Sequence, residues 1–462
     1  MEEARAAWDL AVIGGGPGGY EAALEAAGRG LRTVLIEKGE LGGTCLNRGC
    51  IPTKTLLHTA ELFHEVDCGG PIGLAASDIS VSMKGLMARK AEVVEQLRKG
   101  VASLMKSHKI TVISGRGTLL DKDTVKVETA EGSQILSAAH VLIATGSVPA
   151  CPPIPGADLP GVFTSDGFLE KEELLDRLLI IGGGVIGMEF ASIYSFLGKE
   201  TAVVEAMDRI LPGMDREIGQ NLKMILKKRG VDIHTGALVE RIEQTENGLS
   251  CIFREKDEEK QASADGILIA AGRRPCTDGL ITEESSDAVK ALKMERGRIL
   301  VDAHFETSIP GVYAIGDVTG GIQLAHAASA QGRQAAARMA GQTLDIRTDL
   351  IPSCVYTNPE IGCVGLDADT AKSRGIAVIT KKYPMSANGK TLIAREERGF
   401  IKVLADKDSR RILGAQMMCA RATDMISQFT QAIANGLTLE DMERVVYPHP
   451  TFSEGIGEAV RE

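Results

Sequence analysis

Short apolar runs separated by glycine turns and helical segments recur along the chain. Over residues 10–37, an apolar run leads into a glycine turn, a helix with small residues on one face and a second apolar run. Residues 178–205 repeat this unit without gaps, at an offset of 168 and with eleven identities. Continuous apolar strands are typical of parallel sheets that are covered on both faces. The pattern therefore predicts two copies of a βαβ unit.

A similar apolar strand follows each unit. Residues 141–149 resemble residues 267–275, and each run ends with Gly and Pro. The proline-rich segment 152–156 predicts a stiff linker, which places a domain boundary near residue 150 and lets the second domain run to about residue 273. Apolar residues at helical spacing among charged ones predict a solvated helix over 81–108, inside the first domain.

The pattern changes from about residue 350 onward, where strands and helices are mixed. The predicted strands are 353–356, 400–404 and 411–418, and the predicted helices are 422–435 and 439–446. This arrangement is typical of an α+β domain. The predicted fold class is therefore α/β, with two Rossmann-like dinucleotide-binding domains and a C-terminal α+β domain.

Composition and charge exclude several classes of protein. The chain has 462 residues, 52 Lys and Arg against 62 Asp and Glu, and a net charge of −10. No block rich in Lys and Arg is present, so nucleic acid is not an expected partner. No apolar run approaches the roughly eighteen residues of a membrane span, and the acidic start Met1-Glu2-Glu3 is not typical of a targeting segment. The odd number of nine cysteines favours a reducing compartment, and we expect the cytoplasm.

Each βαβ unit carries a glycine fingerprint and an acidic residue 23 positions after its first glycine. These residues are Gly14, Gly16, Gly19 and Glu37 in the first unit, and Gly182, Gly184, Gly187 and Glu205 in the second. The glycines permit a tight turn, close approach of a pyrophosphate and helix packing, while the carboxylate accepts hydrogen bonds from ribose hydroxyls. A glycine turn without a ligand is the alternative, but the paired context favours two bound dinucleotides.

Glu205 favours NAD over NADP, because a carboxylate pairs with a 2′-hydroxyl and repels a 2′-phosphate. The next three residues, 206–208, include no arginine that could offset this repulsion. Arg209 is the residue that could reverse the preference, although a solvent-facing arginine is the commoner interpretation.

A pair of cysteines, Cys45 and Cys50, directly follows the first unit. Their spacing alone also fits two inert thiols, or a zinc site completed by His58 and His64, although the gap between Cys50 and His58 is shorter than in zinc fingers. The position behind a dinucleotide-binding unit favours a redox role, since a dithiol there can lie against a flavin ring.

Several runs together resemble one known family. They are GGTCLNRGCIPTK at 42–54, the two dinucleotide units, TSIPGVYAIGD at 307–317 and HPTFSE at 449–454. In this order they are similar to the flavoprotein disulfide reductases, the FAD-dependent pyridine nucleotide-disulfide oxidoreductases, over essentially the whole chain. Two positions depart from the common pattern: Arg48 replaces an aliphatic residue, and Cys276-Thr277 replaces an Asn.

The resemblance implies a domain organisation. Residues 1–149 are expected to form the first part of an FAD-binding domain, and residues 150–273 an NAD-binding domain. Residues 274–346 are expected to return to the FAD-binding domain as a central segment, and residues 347–462 to form a dimerisation domain.

The resemblance also implies the cofactor and catalytic residues. FAD is expected to contact Gly14, Gly16, Gly19, Glu37, Lys38, Thr44, Gly117, Thr145, Gly146, Asp317 and Ala325. NAD is expected to contact Gly182, Gly184, Gly187, Glu205, Val239 and Gly272. The expected catalytic residues are Cys45, Cys50, His449, Glu454, Lys54 and Glu189, and no metal ion is expected.

These residues are expected to divide the chemistry among them. His449, oriented by Glu454, would be the base that activates a substrate thiol, which attacks Cys45. Cys50 would then donate to the flavin. Lys54 and Glu189 would form an ion pair near the flavin, Asp317 would hold its ribityl chain, and the helix that starts near Ala325 would point its positive end at the ring.

Glu205 and the run Leu324-Ala325-His326 fit the branch of the family that oxidises protein-bound dihydrolipoyl groups to lipoyl groups while reducing NAD⁺ to NADH. This branch implies a homodimer in which His449 completes the partner's site. The implied partners are the lipoyl domains of 2-oxoacid dehydrogenase or glycine cleavage complexes. Two alternatives stay open: a related NAD(P)H-dependent disulfide or mercuric reductase, and a nucleotide-binding scaffold without redox chemistry.

Overall fold

The computed structural model describes residues 7–396 and 399–461, which divide into two compact units. The first unit contains the described residues up to Thr55, together with Lys84–Ala150 and Gly272–Thr348. The second contains Leu56–Met83, Cys151–Ala271 and the described residues from Asp349 onward.

The helices and strands follow one another in the order that the repeated pattern predicts. In chain order, the helices are α1 (Pro17–Gly28), α2 (Gly43–Arg48), α3 (Cys50–Asp67), α4 (Met83–Ser107), α5 (Ser165–Phe168), α6 (Val185–Phe196), α7 (Arg216–Lys228), α8 (Asp287–Lys290), α9 (Ala325–Met339), α10 (Ala368–Ser373), α11 (Gly389–Ala394), α12 (Ala422–Ala434), α13 (Leu439–Glu443) and α14 (Glu454–Arg461). The strands are β1 (Trp8–Ile13), β2 (Thr33–Glu37), β3 (Thr111–Ser114), β4 (Arg116–Asp121), β5 (Thr124–Thr129), β6 (Gly132–Ile143), β7 (Ser147–Pro149), β8 (Val162–Thr164), β9 (Arg177–Ile181), β10 (Glu200–Glu205), β11 (Asp232–Thr235), β12 (Ala237–Thr245), β13 (Gly248–Glu255), β14 (Glu258–Ala264), β15 (Gly266–Ile269), β16 (Arg273–Pro275), β17 (Met294–Glu295), β18 (Arg298–Ile299), β19 (Val312–Ala314), β20 (Ser353–Val355), β21 (Ile361–Gly365), β22 (Val378–Pro384), β23 (Phe400–Asp406) and β24 (Ile412–Met418).

The first unit is built on a sheet whose strands run in the order β3-β2-β1-β6-β5-β4, with β19 also paired to β6. β1 pairs in parallel with both β2 and β6, whereas β4, β5 and the first half of β6 form antiparallel hairpins. The parallel strands bury both faces, and Leu10, Val12 and Leu35 are fully inaccessible. Burial of each such side chain stabilises the unit by about 1.5–3 kcal/mol. A shift of the register by one residue would expose these side chains, so their burial fixes the register.

The second unit contains three sheets. A parallel sheet has the order β11-β10-β9-β15-β8, the antiparallel strands β12-β13-β14 form a second sheet, and the order β20-β21-β24-β23-β22 describes the third. The units β1-α1-β2 and β9-α6-β10 are both parallel βαβ arrangements. The predicted fold class, with two nucleotide-binding repeats and a later α+β part, is therefore confirmed.

Most predicted element boundaries agree with the structure to within a few residues. The solvated helix predicted over 81–108 is α4, and the strand predicted over 400–404 extends to Asp406. The helix predicted over 439–446 is shorter in the structure, where α13 ends at Glu443. No helix in the described part of the chain combines the length and the apolar character that crossing a membrane requires.

Glu61 on α3 lies among like charges inside the second unit. Burial raises the pKa of Glu61 to about 7, and Glu360, Glu65 and Glu396 add to the shift while Arg421 opposes it. The folded protein therefore binds a proton at Glu61 more tightly than the unfolded chain does, where glutamate has a pKa of about 4.3. Ionisation of Glu61 costs stability, and the cost grows as the pH rises through about 7.

We expect Glu61→Gln to raise the free energy of unfolding by about 1–2 kcal/mol at pH 8, a value reduced for solvent screening of a half-buried group. The gain should be less than half as large at pH 5, where the folded carboxyl is already protonated. Thermal melts at the two pH values measure it, with Glu246→Gln, an exposed glutamate, as the control. Equal gains at both pH values would contradict the expectation.

Candidate active site

The first glycine turn leaves one face open. Gly14 has a φ of +109°, and a Cβ atom there would lie 2.3 Å from the carbonyl oxygen of Ala144. A Cβ atom at Gly19 would lie 1.9 Å from the carbonyl oxygen of Gly14, so the start of α1 packs directly on the turn. A Cβ atom built at Gly16, by contrast, would have no neighbouring heavy atom closer than 3.9 Å. This combination fits a phosphate approaching the helix N-terminus at Gly16.

The second glycine turn repeats this geometry. Gly182 has a φ of +117°, with the Ala270 carbonyl oxygen 2.4 Å from its added Cβ, and Gly187 would meet the Gly182 oxygen at 2.0 Å. Around Gly184 there is open space within 4 Å. Each unit thus offers one uncovered glycine at the start of a helix whose N-cap makes no side-chain hydrogen bond.

Glu37 is held at the end of β2 by backbone groups. Its Oε2 accepts a hydrogen bond from the N–H of Gly15 at 2.6 Å, and its Oε1 accepts one from the N–H of Gly39 at 2.7 Å. An ionised carboxylate has about four acceptor positions, so two remain for ribose hydroxyls. The carboxylate is positioned beside the turn without being saturated.

Glu205 occupies the same position in the second unit. It accepts hydrogen bonds from the N–H groups of Gly183 and of Met207, the latter at 2.7 Å. Arg209 is half-buried: its Nη1 is buried without a hydrogen-bond partner, whereas its Nη2 donates to the carbonyl oxygen of Pro212 at 2.9 Å within the same loop. This hydrogen bond occupies the Nη2 group of Arg209, and Glu205 is the charged side chain that contacts the turn.

Three other predicted FAD contacts, Thr145, Gly146 and Asp317, lie just after the carboxyl ends of β6 and β19. The buried Oγ1 of Thr145 has no hydrogen-bond partner, and Gly146, at a φ of +70°, has open space around its Cα. An orphaned buried hydroxyl beside an open glycine fits a polar ligand such as a dinucleotide. Asp317 lies in the 3₁₀ turn Gly316–Thr319 and accepts from Ser147 Oγ at 2.5 Å.

The remaining predicted cofactor residues are distributed over several elements. Lys38 Nζ lies 3.8 Å from Cys276 Sγ, in the first unit. α9 begins at Ala325 without a side-chain cap, so its N-terminal N–H groups are available to an anion. Thr44 lies in α2, Gly117 in β4, Val239 in β12 and Gly272 just before β16.

The cysteine pair joins two consecutive helices. Cys45 lies in α2 and Cys50 begins α3, with Gly49 between the helices. A hydrogen bond to Cys50 and burial raise the pKa of the Cys45 thiol far above its usual range. Cys45 therefore keeps its proton, and a thiolate at Cys50 would lie at the positive end of α3. Both are free thiols in the structure.

Lys54 and Glu189 belong to different compact units. Lys54 follows Cys50 by one turn of α3 in the first unit. Glu189 is buried in α6 of the second unit, where its Oε1 accepts from the N–H of Tyr356 at 3.2 Å. Their ion pair stays a prediction.

His449 and Glu454 are brought together at the start of α14. His449 Nδ1 lies 2.8 Å from Glu454 Oε1, and Glu454 Oε2 accepts from the Thr451 N–H at 2.8 Å. The Thr451 N–H and then His449 lower the pKa of Glu454, which keeps it ionised. Because an ionised carboxylate only accepts hydrogen bonds, Nδ1 carries the proton and Nε2 is left as a base. The imidazole side chain is 79% exposed.

The structure adds several residues that hold the predicted site residues in place. Thr451 fixes Glu454, and Arg273 donates to Ser147, which in turn donates to Asp317. The contact between Arg273 and Ser147 could be found from the sequence similarity of residues 141–149 to residues 267–275, because β7 and β16, which lie in these two segments, pair directly. Among the described residues, no three His, Cys, Asp or Glu side chains are grouped to hold a metal ion.

Two family models match the chain. Residues 8–332 match the model "Pyridine nucleotide-disulphide oxidoreductase", and residues 351–460 match "Pyridine nucleotide-disulphide oxidoreductase, dimerisation domain". The two matches cover the glycine turns, the cysteine pair and the His449–Glu454 pair.

Curated relatives and solved structures are similar over nearly the full length. A dihydrolipoyl dehydrogenase of Bacillus subtilis (strain 168) is 40% identical over 467 residues, covering 98% of this chain and 97% of the relative. One of Chlamydia muridarum is 39% identical, with coverages of 97% and 95%. The structure of LpdA from Mycobacterium tuberculosis matches with a TM-score of 0.89 and 28% identity, covering 98% of this chain and 99% of that one. The HOCl-induced flavoprotein disulfide reductase RclA from Escherichia coli matches with a TM-score of 0.86, 31% identity and the same coverages.

Proposed function

Because this chain belongs to the pyridine nucleotide-disulphide oxidoreductase family, we propose that it oxidises dihydrolipoyl groups to lipoyl groups and reduces NAD⁺ to NADH. The observation that carries this proposal is the Cys45–Cys50 pair at the α2–α3 junction, directly behind a dinucleotide-binding turn. The curated relatives of similar length support the same activity. The family's cofactors are FAD and NAD, and the two glycine turns fit one dinucleotide each.

The proposed reaction begins with proton removal from a substrate thiol. Nε2 of His449 accepts that proton, and Glu454 stabilises the imidazolium through Nδ1. The substrate thiolate attacks Cys45 Sγ of the oxidised enzyme, where a disulfide joins Cys45 to Cys50. A mixed disulfide forms and Cys50 leaves as a thiolate, so no electron is lost at this step.

The second substrate thiol completes the exchange. It attacks the substrate sulfur of the mixed disulfide, closes the lipoyl ring and releases Cys45, which takes up the proton that the second thiol loses. The raised pKa of Cys45 favours this protonation. Bound FAD would supply the two-electron chemistry that links the reduced cysteine pair to NAD⁺. Lys54 and Glu189 are proposed to form an ion pair that orients the reacting groups.

We also propose that the protein works as a homodimer in which His449 completes the partner's site. The match of residues 351–460 to a dimerisation domain and the high exposure of His449 support this arrangement. The proposed protein partners are lipoyl domains of 2-oxoacid dehydrogenase or glycine cleavage complexes, and the proposed location is the cytoplasm.

A substrate panel tests the proposed activity. The purified, FAD-loaded protein should oxidise dihydrolipoamide with NAD⁺ far faster than with NADP⁺. It should reduce neither glutathione disulfide nor Hg²⁺ at a comparable rate with NADH or NADPH. A preference for either of these oxidants would instead favour the disulfide or mercuric reductase.

Glu205→Ala tests the choice of nucleotide. Loss of the carboxylate removes an acceptor for the ribose and the charge that repels a 2′-phosphate, so KM for NAD⁺ should rise about tenfold while discrimination against NADP⁺ falls. Asp208→Ala removes the same charge from an exposed position in the same loop and should change KM less than twofold. Unchanged KM values for Glu205→Ala in steady-state assays would contradict the assignment.

A further inference from the structure

Two lysines and two carboxylates form a charged cluster in the second unit, made of Lys382, Lys402, Asp215 and Glu217. Lys382 and Lys402 lie directly opposite each other on β22 and β23. Like charges in this position repel and destabilise a sheet unless they are compensated. The compensation comes from Asp215 and Glu217 at the start of α7, where negative charges also favour the helix dipole.

Lys402 is the central member of this cluster. Its Nζ lies 3.0 Å from both carboxylate oxygens of Asp215 and 2.9 Å from Glu217 Oε2. Its side chain and that of Asp215 are only 9% and 6% exposed. Burial alone lowers the pKa of Lys402, but the hydrogen bonds to Glu217 and Asp215 outweigh it and raise the pKa, so the buried pair is charged.

Lys382 differs from Lys402 in one informative respect. It contacts Glu217 and lies over the Phe400 ring at 4.5 Å, but its side chain is 41% exposed. Within the cluster, the ammonium group of Lys382 contacts Glu217 rather than Asp215, which caps α7.

Asp215 connects this cluster to the second glycine turn. It caps α7 by accepting from the Glu217 N–H at 2.9 Å. The loop before it is pinned to the turn, because the Leu211 N–H donates to the Gly183 carbonyl oxygen at 2.8 Å. α7 packs closely on the same loop, since a Cβ atom at Gly219 would lie 2.7 Å from the Ile210 carbonyl oxygen.

Gly183 makes a second hydrogen bond: its carbonyl oxygen accepts from Leu211 in this loop, and its N–H donates to Glu205. A continuous set of contacts thus runs from Lys402 through Asp215 and the loop to the carboxylate that is assigned to the NAD ribose. Removing the Lys402 charge would leave the buried Asp215 without its counter-charge beside Glu217, which keeps its contact with Lys382, and the cost would be relieved by movement of the loop.

We propose that Lys402 is a positioning residue for the NAD site: from β23 it holds the start of α7, and so fixes the loop that orients Gly183 and Glu205. The proposal rests on the assignment of NAD to the second glycine turn. It places the control of nucleotide affinity on a strand of the C-terminal α+β part, far along the chain from the turn itself.

The test compares Lys402→Met with Lys382→Met in the FAD-loaded protein. ADP-ribose, which contains the recognised part of NAD but carries no redox group, is titrated by calorimetry. The Kd for ADP-ribose should rise about tenfold in Lys402→Met and less than twofold in Lys382→Met. KM for NAD⁺ should rise in parallel, whereas kcat at saturating NAD⁺, KM for dihydrolipoamide and FAD content should be retained.

Two further variants keep the test decisive if Lys402→Met folds poorly. Asp215→Asn retains a helix cap but weakens the ion pair, and should raise the Kd for ADP-ribose several-fold. Lys402→Arg retains the charge and should restore most of the affinity. A Kd within twofold of the wild type in both Lys402→Met and Asp215→Asn, or a parallel loss of FAD and dihydrolipoamide turnover, would overturn the proposal. Failure of the wild-type protein to bind ADP-ribose would instead overturn the assignment of NAD to this turn, and the positioning role with it.

Discussion

Replacing Cys50 with serine is expected to lower the rate of dihydrolipoamide oxidation by about 10³-fold or more. The substitution removes the sulfur that leaves as a thiolate when the substrate attacks Cys45, so the exchange has no leaving group. It also removes the thiolate at the N-terminus of α3. The reduced variant should therefore lack the long-wavelength absorbance of a thiolate beside the flavin, which an anaerobic titration with dithionite measures.

Cys45→Ser should be equally inactive but spectroscopically different. Cys50 then has no disulfide partner, and its thiolate should give the long-wavelength absorbance without any reductant. Cys68→Ser is the matched control, because Cys68 is an exposed free cysteine directly after α3, the helix that begins with Cys50. It should retain full activity. Absorbance in Cys50→Ser but not in Cys45→Ser would exchange the two assignments.

The second large effect is expected at His449. His449→Gln removes the base that takes the substrate's proton, and kcat for dihydrolipoamide oxidation should fall by about 10²–10⁴-fold. Oxidation of NADH by an artificial electron acceptor does not need that proton transfer and should be retained. Glu454→Gln leaves a neutral partner for Nδ1 and should cause a smaller loss. Similar losses in both assays would contradict the role of His449 as the base.

Mixed dimers test whether His449 serves the partner's site. Inactive His449→Gln and inactive Cys45→Ser subunits are unfolded together and reassembled. If the histidine comes from the partner, one site of each mixed dimer is complete, and about a quarter of the wild-type activity should return. If His449 acts within its own subunit, no complete site forms and the mixture should stay inactive.

The duplicated nucleotide-binding units could be predicted because their determinants are local. Gly14, Gly19, Gly182 and Gly187 have their steric reasons within the βαβ unit or the strand that closes it. Glu37 and Glu205 are fixed by neighbouring N–H groups. Likewise, Thr451 connects Glu454 to the turn that carries His449 within a few residues. Contacts between residues that are close along the chain can be inferred from a single sequence.

The charged cluster around Lys402 could not be predicted in this way. Lys402 and Asp215 are 187 positions apart, and the strand FIKVLAD gives no indication that its lysine is buried rather than solvent-facing. The counter-charges of the buried lysine, Asp215 and Glu217, come from the start of α7, a distant part of the chain. The raised pKa of Glu61 also depends on tertiary structure, because it comes from burial and from Glu360 and Glu396, which are distant along the chain.

The most direct test of the central claim is a thiol count during one turnover. The oxidised, FAD-loaded protein is mixed anaerobically with one equivalent of dihydrolipoamide, alkylated with and without a prior excess of NAD⁺, and analysed by peptide mass spectrometry. The proposed function predicts new alkylation at Cys45 and Cys50 alone, its loss after NAD⁺ is added, and one NADH formed per pair of thiols. Unchanged alkylation at Cys45 and Cys50 while NADH is still formed would contradict it.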